Sequence, residues 1–484
     1  MCRSSTDSCG PRRCNEQNAY GRAIRNLQAK KQYHAKKGNE AKVREIAGYI
    51  ANLREDKREL LADGGILKPY EMTLTPNAEK VLNQLRDSGF IPYVVGGSVR
   101  DALLGLDSKD VDIEVYGATA DQVLKSLKKL GPVDAVGKSF GILKIRLDDE
   151  DFDVSLPRRD SKTGEGHRGF EVEVDPLMSL TKATARRDFT INALLYDNKN
   201  GFIIDKHGGL EDLQQGYLRH VSDAFDEDPL RVLRGVQMAS RFSMTMHPDT
   251  VKKAQTLKDQ FNQLAVERVQ VEFEKLYTKG KSPHKAIQLL QDTGWADNFA
   301  GLRNANLTDM KRDLKRAQSL IDNGTVQKNK AQLLMTSVIA SKMDDNEAKG
   351  FVRYTTIGDK MKNGAYNLSR LTPPTKLGRA HIRRWAKNMP NDITISDWTS
   401  LAKAQGQEKI ANSIERRAAK IGVLHGPEQD LLNGNDLLTL FKGSKAGPWM
   451  KAALENIRSA QYADAFRDKA KGLDWAAKNI HPPA

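Results

Sequence analysis

The chain has 484 residues, of which 39% are hydrophobic, so it is long enough to form several domains with cores of ordinary size. Lys and Arg outnumber Asp and Glu by 77 to 62, and the net charge of +15 favours a polyanionic partner such as a nucleic acid. Because no apolar run approaches the about 18 residues of a membrane span, and the start of the chain lacks the apolar segment of a secretory signal, we expect no membrane partner and a cytoplasmic location.

Residues 1–70 are predicted to form a basic N-terminal extension. Residues 1–60 hold 14 Lys or Arg against 7 Asp or Glu. Apolar residues recur at helical spacing from Val43 to Leu53, which predicts one amphipathic helix that packs on a neighbour. This segment fits either a solvated arm or an arm that grips RNA. The absence of an evident fourth ligand favours a mobile leader over a zinc site for the three cysteines, Cys2, Cys9 and Cys14.

Helices and short β-rich runs alternate over residues 71–215, which predicts an α+β head with a mixed sheet. The predicted elements are a helix around 78–88 and strands at Tyr93, at Asp112, over 141–147 and over 152–156. After Asp226 the β pattern fades and long helical patterns dominate. We therefore expect an all-helical neck over 216–300, followed by a helical body and tail over 301–484.

The most informative stretch covers residues 93–114, where an apolar strand ends at two glycines, a helix follows and a second strand begins. Glycines let backbone amides approach a phosphate group closely, and a helix presents its positive dipole end to an anion. Arg100 lies in the first turn of this helix. The sequence therefore predicts a triphosphate-binding site at Gly96, Gly97 and Arg100.

Two acidic residues on the second strand predict a metal site. Asp110 and Asp112 are two residues apart, and alternate side chains of a strand project from the same face. Adjacent carboxylates repel each other unless a cation neutralises them, and their oxygens suit Mg²⁺. Two such ions can activate an attacking hydroxyl and stabilise a leaving phosphate, so we expect Asp110 and Asp112 to bind two Mg²⁺. Taken alone, an Asp-x-Asp pattern is more often solvated.

A further motif, Arg186-Arg187-Asp188, is followed by Asn192 among apolar residues. Taken alone, this segment is typical of a helix with a charged outer face.

A third motif predicts the start of a helix. Pro229 suits a first helical position, and acidic residues favour a helix N-terminus. Asp228, Arg231 and Arg234 follow at three-residue steps on about one face. A carboxylate only accepts hydrogen bonds and a guanidinium only donates them. The pair of Asp228 and Arg231 therefore suits the amino donor and the ring-nitrogen acceptor that cytosine and adenine share. Uracil and guanine leave the charged groups unpaired. The alternative is a capped helix with a salt bridge.

In this order, the three motifs resemble the signature of class II CCA-adding tRNA nucleotidyltransferases and poly(A) polymerases, in the DNA polymerase beta-like nucleotidyltransferase superfamily. The resemblance implies that Arg187 contacts the nucleotide, that Asp188 and Asn192 organise the pocket, and that Arg234 supports the base-reading pair. It also implies a third catalytic carboxylate on an adjacent strand, for which Asp153 is the best candidate.

The resemblance further implies an enzyme that adds C, C and A to the 3′ end of tRNA without a nucleic-acid template. CTP and ATP would be its substrates, two Mg²⁺ its cofactors and pyrophosphate its second product. The alternatives are a poly(A) polymerase on the same scaffold and a catalytically inactive RNA-binding protein. Residues 136–143 resemble the CCA-adding enzymes more than the poly(A) polymerases. Basic runs in the helical body, such as Lys311-Arg312 and Arg383-Arg384, fit a surface that binds RNA phosphates.

Overall fold

The structure is a computed structural model, and it describes most of the chain after residue 65. The described residues are 28–29, 31–40, 43–44, 46–47, 50–51, 66–107, 111–135, 141–162, 170–176, 178–299, 301–303, 305–390 and 393–482. The predictions for the three leader cysteines and for Asp110 lie outside these residues. Within the N-terminal extension, Ile46 and Ile50 are helical and buried, as the apolar spacing predicts.

The chain forms two compact units, and the first contains a mixed sheet. This unit comprises the described residues up to Gly235 together with Met244–Leu264. Its strands are β1 (Ile66–Pro69), β2 (Ile91–Val95), β3 (Val111–Tyr116), β4 (Val133–Asp134), β5 (Ile142–Leu147), β6 (Glu150–Ser155), β7 (Arg158–Lys162), β8 (Phe170–Val174), β9 (Leu195–Asp197), β10 (Phe202–Asp205), β11 (Tyr217–Leu218) and β12 (Thr245–Met246). The main sheet has eight strands in the order β1-β10-β9-β2-β3-β6-β5-β4. All its neighbours are antiparallel except β3 and β6, which are parallel.

Short helices connect these strands. They are α1 (Pro76–Asp87), α2 (Gly97–Leu103), α3 (Ala120–Leu127), α4 (Leu180–Ala185), α5 (Gly209–Gln215), α6 (Leu230–Phe242) and α7 (Pro248–Thr256). Local sequence explains where α1 begins, because the Thr75 side chain accepts a hydrogen bond from the Ala78 backbone N–H and Pro76 occupies the first helical position. Likewise, Thr119 and Gln122 form a reciprocal capping box at the start of α3.

Side chains of β3 alternate between an apolar core on one face and, on the other, two carboxylates beside a second, smaller apolar cluster that includes Val95 and Tyr116. Val111, Ile113 and Val115 belong to a core that also holds buried residues of α1 and α3. The other face carries Asp112 and Glu114, since successive side chains of a strand point to opposite sides. The predicted α+β head with a mixed sheet is therefore confirmed, and the acidic residues lie on the face of β3 opposite this core.

Close packing at the start of α5 gives a testable consequence for stability. A Cβ atom on Gly209 would overlap the Thr190 carbonyl oxygen and would lie 3.1 Å from Leu194 Cδ2. We expect Gly209→Ala to lower the free energy of unfolding by about 1–3 kcal/mol, because backbone must shift to make room. Gly131→Ala is the matched control, since its Cβ would meet its nearest neighbour at 3.6 Å. Thermal unfolding followed by circular dichroism measures the effect. If both variants had the melting temperature of the wild type, this expectation would be contradicted.

The second unit is helical throughout the part that the structure describes. It comprises Val236–Ser243 and the described residues from Ala265 onward. Its helices after α6 are α8 (Val266–Lys279), α9 (Pro283–Asp292), α10 (Leu307–Asp322), α11 (Ala331–Ala340), α12 (Asp345–Thr355), α13 (Asp359–Arg370), α14 (Arg379–Lys387), α15 (Ile395–Ala404), α16 (Glu408–Lys420), α17 (Gly434–Leu440), α18 (Trp449–Tyr462) and α19 (Lys469–Asn479). Phe273 packs its ring on Phe299 and Phe351 in the core of this unit. Among the described helices, none combines the length and the apolar character that crossing a membrane requires.

Candidate active site

The register between β3 and β6 brings two carboxylates together. Asp112 and Asp153 are direct partners in this parallel pair, so their side chains project from the same face of neighbouring strands. Asp112 is half-buried, whereas the Asp153 side chain is 44% exposed. Asp153 Oδ1 forms an ion pair with Lys144 Nζ at 2.9 Å. Asp110, one residue before β3, lies outside the described residues. Asp153 is thus adjacent to Asp112, and its role as a third catalytic carboxylate stays a prediction.

A glycine at the end of β2 adjoins the same carboxylate. Val95 is the register partner of Asp112, and Gly96 follows it with φ of +75°, a conformation that favours glycine. A Cβ atom at Gly96 would lie 2.9 Å from Arg187 Nη1 and 3.7 Å from Asp112 Oδ2. A side chain here would therefore displace the guanidinium. The structure thus brings together Gly96, Asp112 and Arg187, which are separated by up to 91 residues in sequence.

Arg100 has a more internal environment than its sequence position indicates. It is buried, and its guanidinium donates to Asp101 Oδ1 through Nε at 2.8 Å and through Nη2 at 2.6 Å. Its Nη1 donates to Asn192 Oδ1, whose own amide Nδ2 donates to Asp188 Oδ1 at 2.9 Å. The Arg100 guanidinium also lies near Gly97, where a Cβ would be 3.4 Å from Nη2. These contacts join Arg100 to the residues of the second motif, and its contact with a triphosphate stays a prediction.

Glu114 is a buried carboxylate that adjoins these residues and that the sequence motifs did not single out. Its side chain is 0% exposed and pairs with Arg186 Nη2 at 2.9 Å and with Arg187 Nη2 at 3.4 Å. The Tyr116 hydroxyl donates to the same carboxylate at 3.0 Å. Burial by itself raises the pKa of Glu114, but the charges of Arg187 and Arg186 outweigh it, so the pKa lies below the ordinary value. The sequence could have indicated this position, because side chains two residues apart on a strand share a face and Glu114 follows Asp112 by two residues on β3.

Asp188 links the second motif to helix α6. It is buried, and its Oδ2 accepts from Arg234 Nε at 2.9 Å and lies 2.8 Å from Arg234 Nη2. Its Oδ1 accepts from the Phe189 backbone N–H at 2.8 Å as well as from Asn192. Burial raises the pKa of Asp188, but Arg234 and these hydrogen bonds outweigh it, so the pKa is lowered. Asp188 is therefore ionised and holds the first turns of α6 beside the second motif.

The third motif forms the N-terminus of α6, as its sequence predicts. Asp228 precedes the helix, and its Oδ1 accepts from the Leu230 backbone N–H at 3.2 Å. Arg231 donates through Nη1 to the Ala224 carbonyl oxygen and through Nη2 to the Arg186 carbonyl oxygen at 2.7 Å. The guanidinium of Arg231 is therefore fixed between the turn before α6 and the second motif.

The helical alternative for the second motif is wrong. Helix α4 ends at Ala185, a 3₁₀ turn covers Thr190–Asn192, and β9 begins at Leu195. Asp188 and Asn192 bond to each other and to arginines of two other helices, which holds this irregular segment without a helical hydrogen-bond ladder.

The lowered pKa of Asp188 has a consequence for acid stability. A carboxyl whose pKa is lower in the folded state stabilises the fold above its unfolded pKa of about 4, and this contribution is lost as the pH falls through the folded pKa. We expect Asp188→Asn to lower the free energy of unfolding by about 1–3 kcal/mol at pH 7. The difference in melting temperature from the wild type should then narrow as the pH falls below about 4. Asp87→Asn, which removes a carboxylate at an exposed position, is the control and should melt at the wild-type temperature at pH 7.

Comparison with known proteins places this geometry in a class. The sequence matches the family model of the Poly A polymerase head domain over residues 92–219, and that of the probable RNA- and SrmB-binding site of polymerase A over residues 243–301. Gly96 and Gly97, strand β3 and the second motif all fall within the first match, as do all strands of the main sheet except β1 and the first residue of β2. Residues 92–219 of the first unit thus match the head domain of poly(A) polymerases, a class of nucleotidyltransferases.

Similarity over most of the chain identifies the family. The CCA-adding enzyme of Oceanobacillus iheyensis is 30% identical over 418 residues, which cover 84% of this chain and 98% of that enzyme. The multifunctional CCA protein of Xylella fastidiosa is 41% identical over 182 residues, 37% of this chain and 42% of that protein. The chain belongs to the CCA-adding enzyme family.

Solved structures agree with the fold. The Bacillus stearothermophilus CCA-adding enzyme in complex with CTP has a TM-score of 0.65 at 23% identity, covering 84% of this chain and 98% of that one. The Thermotoga maritima CCA-adding enzyme complexed with tRNA-CCA has a TM-score of 0.60 at 20% identity, covering 84% of this chain and 97% of that one. At these identities the likeness concerns the fold.

Proposed function

We propose that this protein adds C, C and A to the 3′ end of tRNA without a nucleic-acid template, using CTP and ATP and releasing pyrophosphate. Relatives named CCA-adding enzymes, and solved relatives in complex with CTP and with tRNA-CCA, support this activity. A cytoplasmic location is part of the proposal, because tRNA and nucleoside triphosphates are both present there.

One observation carries the proposal. Arg187 lies beside Gly96 and Asp112, while its neighbours Arg186 and Asp188 hold Arg231 and Arg234 of helix α6. The residues expected to bind phosphates and the residues expected to read the base are thus joined by direct contacts within one unit. This arrangement supports a single pocket in which a nucleotide is held at both ends.

The roles of the residues follow from their chemistry. The carboxylates of Asp110 and Asp112, with Asp153 as a third candidate, fit two Mg²⁺, since this ion prefers carboxylate oxygens. When bound, such ions would neutralise phosphate charge and favour ionisation of the RNA 3′-hydroxyl that attacks the α-phosphate. Arg187 would contact the nucleotide phosphates.

The remaining residues would shape the pocket and read the base. Gly96, Gly97 and Arg100 would hold the triphosphate, the glycines by letting the phosphates approach the backbone, and Asp188 and Asn192 would organise the pocket around it. Asp228 would accept the amino group of cytosine or adenine, and Arg231 would donate to the adjacent ring nitrogen, with Arg234 as support.

The helical part of the chain would hold the tRNA. In this proposal residues 216–300 form a neck that carries the base-reading motif, and residues 301–484 form the body and tail. Their basic residues suit the phosphates of a folded RNA, whose shape is recognised largely through its backbone.

A single assay distinguishes the proposed function from its nearest rival. The full-length protein is incubated with Mg²⁺ and tRNA that lacks its terminal CCA, with labelled CTP and ATP supplied separately and together. Addition of three nucleotides followed by a stop supports CCA addition. A long ladder with ATP alone would support a poly(A) polymerase, and tRNA binding without incorporation would support an inactive RNA-binding protein.

A further inference from the structure

Glu114 is a fully buried carboxylate at the centre of the candidate site, and it has no place in the roles described so far. Its side chain is 0% exposed, and its charge is balanced by two arginines, Arg186 and Arg187. Removal of an ionised carboxylate from water is costly unless charged partners and hydrogen bonds replace its hydration. The two arginines supply the charged partners, and the Tyr116 hydroxyl donates a further hydrogen bond to the carboxylate.

The position of this charge is unfavourable for a site that binds phosphates. Glu114 contacts Nη2 of Arg187, and Nη1 of the same guanidinium lies beside Asp112 at the glycine break, the point after β2 where Gly96 and Gly97 end the strand. A negative charge so close to a triphosphate weakens the attraction of the anion through simple electrostatics. If this site binds nucleotides, Glu114 must therefore contribute to it in a way other than by direct electrostatic attraction of the phosphates.

The contacts of Arg187 indicate how Glu114 contributes to the site. Nη2 bonds to Glu114 Oε2 at 3.4 Å, while Nη1 donates to the Asn192 carbonyl oxygen at 3.4 Å and lies 2.9 Å from the position of a Cβ on Gly96. Nε is buried and has no hydrogen-bond partner among the described residues. Because a guanidinium is planar, fixing Nη2 on Glu114 also sets the direction of Nη1.

We propose that Glu114 is a positioning residue that holds the Arg187 guanidinium at the glycine break, where it meets the phosphates of the incoming nucleotide. This inference rests on the proposed function and adds a residue to its machinery. Glu114 acts through Arg187 and does not touch the nucleotide. It also ties the strand that carries Asp112 to the second motif.

The test is Glu114→Gln in the full-length protein, which keeps the shape of the side chain and removes its charge. We expect KM for CTP and KM for ATP to rise by the same factor, about tenfold, with a smaller change in kcat. An equal rise is expected because phosphates are common to both nucleotides. KM does not depend on the fraction of molecules that fold, so loss of stability alone would leave it unchanged.

The sign of the change separates positioning from electrostatics. If the charge of Glu114 acted only through its field on the phosphates, Glu114→Gln would lower KM for both nucleotides. A lowered or unchanged KM therefore overturns the proposal. Tyr116→Phe is the matched control, because it removes a hydrogen bond from the same carboxylate but leaves the charge, and its KM should stay within about twofold of wild type.

Double-variant comparison identifies the partner. Glu114→Gln should add little to the KM of Arg187→Lys, since both remove the same guanidinium contact, whereas its effect should persist in full on an Arg186→Lys background. Additive effects with Arg187→Lys would overturn the proposal. A wild-type protein that adds no nucleotide to tRNA would contradict the proposed function and this role together, whereas an active wild type with an unchanged Glu114→Gln variant would contradict the role of Glu114 alone.

Discussion

Asp112→Asn is expected to lower kcat for nucleotide addition by at least about a hundredfold while leaving the fold intact. The variant keeps the size of the side chain but removes the negative charge that would hold Mg²⁺ beside Gly96 and Arg187. Asp112 is half-buried and lies on the face of β3 opposite the core that holds Val111, Ile113 and Val115, so a side chain of the same size leaves the packing of that core unchanged. Single-turnover incorporation of CTP measures the effect, and circular dichroism checks the fold.

The control for this prediction is Asp149→Asn, whose side chain is fully exposed in the turn between β5 and β6. It should retain wild-type incorporation. Asp110→Asn should behave like Asp112→Asn, since both carboxylates are assigned to the same metal site. A purified Asp112→Asn protein with near-normal incorporation and a normal melting temperature would refute the metal assignment.

Asp228→Asn is expected to reduce the preference for CTP over UTP by about a hundredfold, measured as the ratio of kcat/KM values. The carboxylate can only accept hydrogen bonds, whereas an amide can also donate, so uracil would no longer leave a charged acceptor unpaired. Asparagine is as good a helix N-cap as aspartate, so the bond to the Leu230 backbone N–H should survive. Loss of selectivity would then report base reading and not loss of the helix start.

Asp223→Asn provides the comparison for base selection. Asp223 lies in the turn before α6, and its exposed carboxylate pairs with Lys253. This variant should discriminate between CTP and UTP as the wild type does. If Asp228→Asn kept wild-type selectivity, the capped-helix reading of the third motif would be preferred over the base-reading one.

Much of the head was predictable because its signals are local. The helix over 78–88 carries its own proline and threonine cap, and its counterpart in the structure is α1. The apolar residues that flank Asp112 alternate with it, which predicted both a strand and the face from which the carboxylate projects. Pro229 and Asp228 likewise predicted the start of α6 within one residue.

The remaining features depend on contacts distant in sequence, which a local pattern does not encode. The sequence does not reveal that β3 pairs in parallel with β6, so the adjacency of Asp112 and Asp153 required the register. Arg100 was predicted to face a triphosphate, but its bond to Asn192 depends on the return of the chain 92 residues later. The second motif has the composition of a surface helix, and only its buried partners explain why it is irregular.

The division of the chain bears on how the protein is made. The first unit is interrupted, because Val236–Ser243 belongs to the second unit and Met244–Leu264 returns to the first. The returning segment supplies β12, which pairs with β11, and helix α7. During synthesis on the ribosome, the first unit therefore cannot be complete until residue 264 has left the exit tunnel. Expression of a fragment ending at Gly235 would yield a protein without these elements.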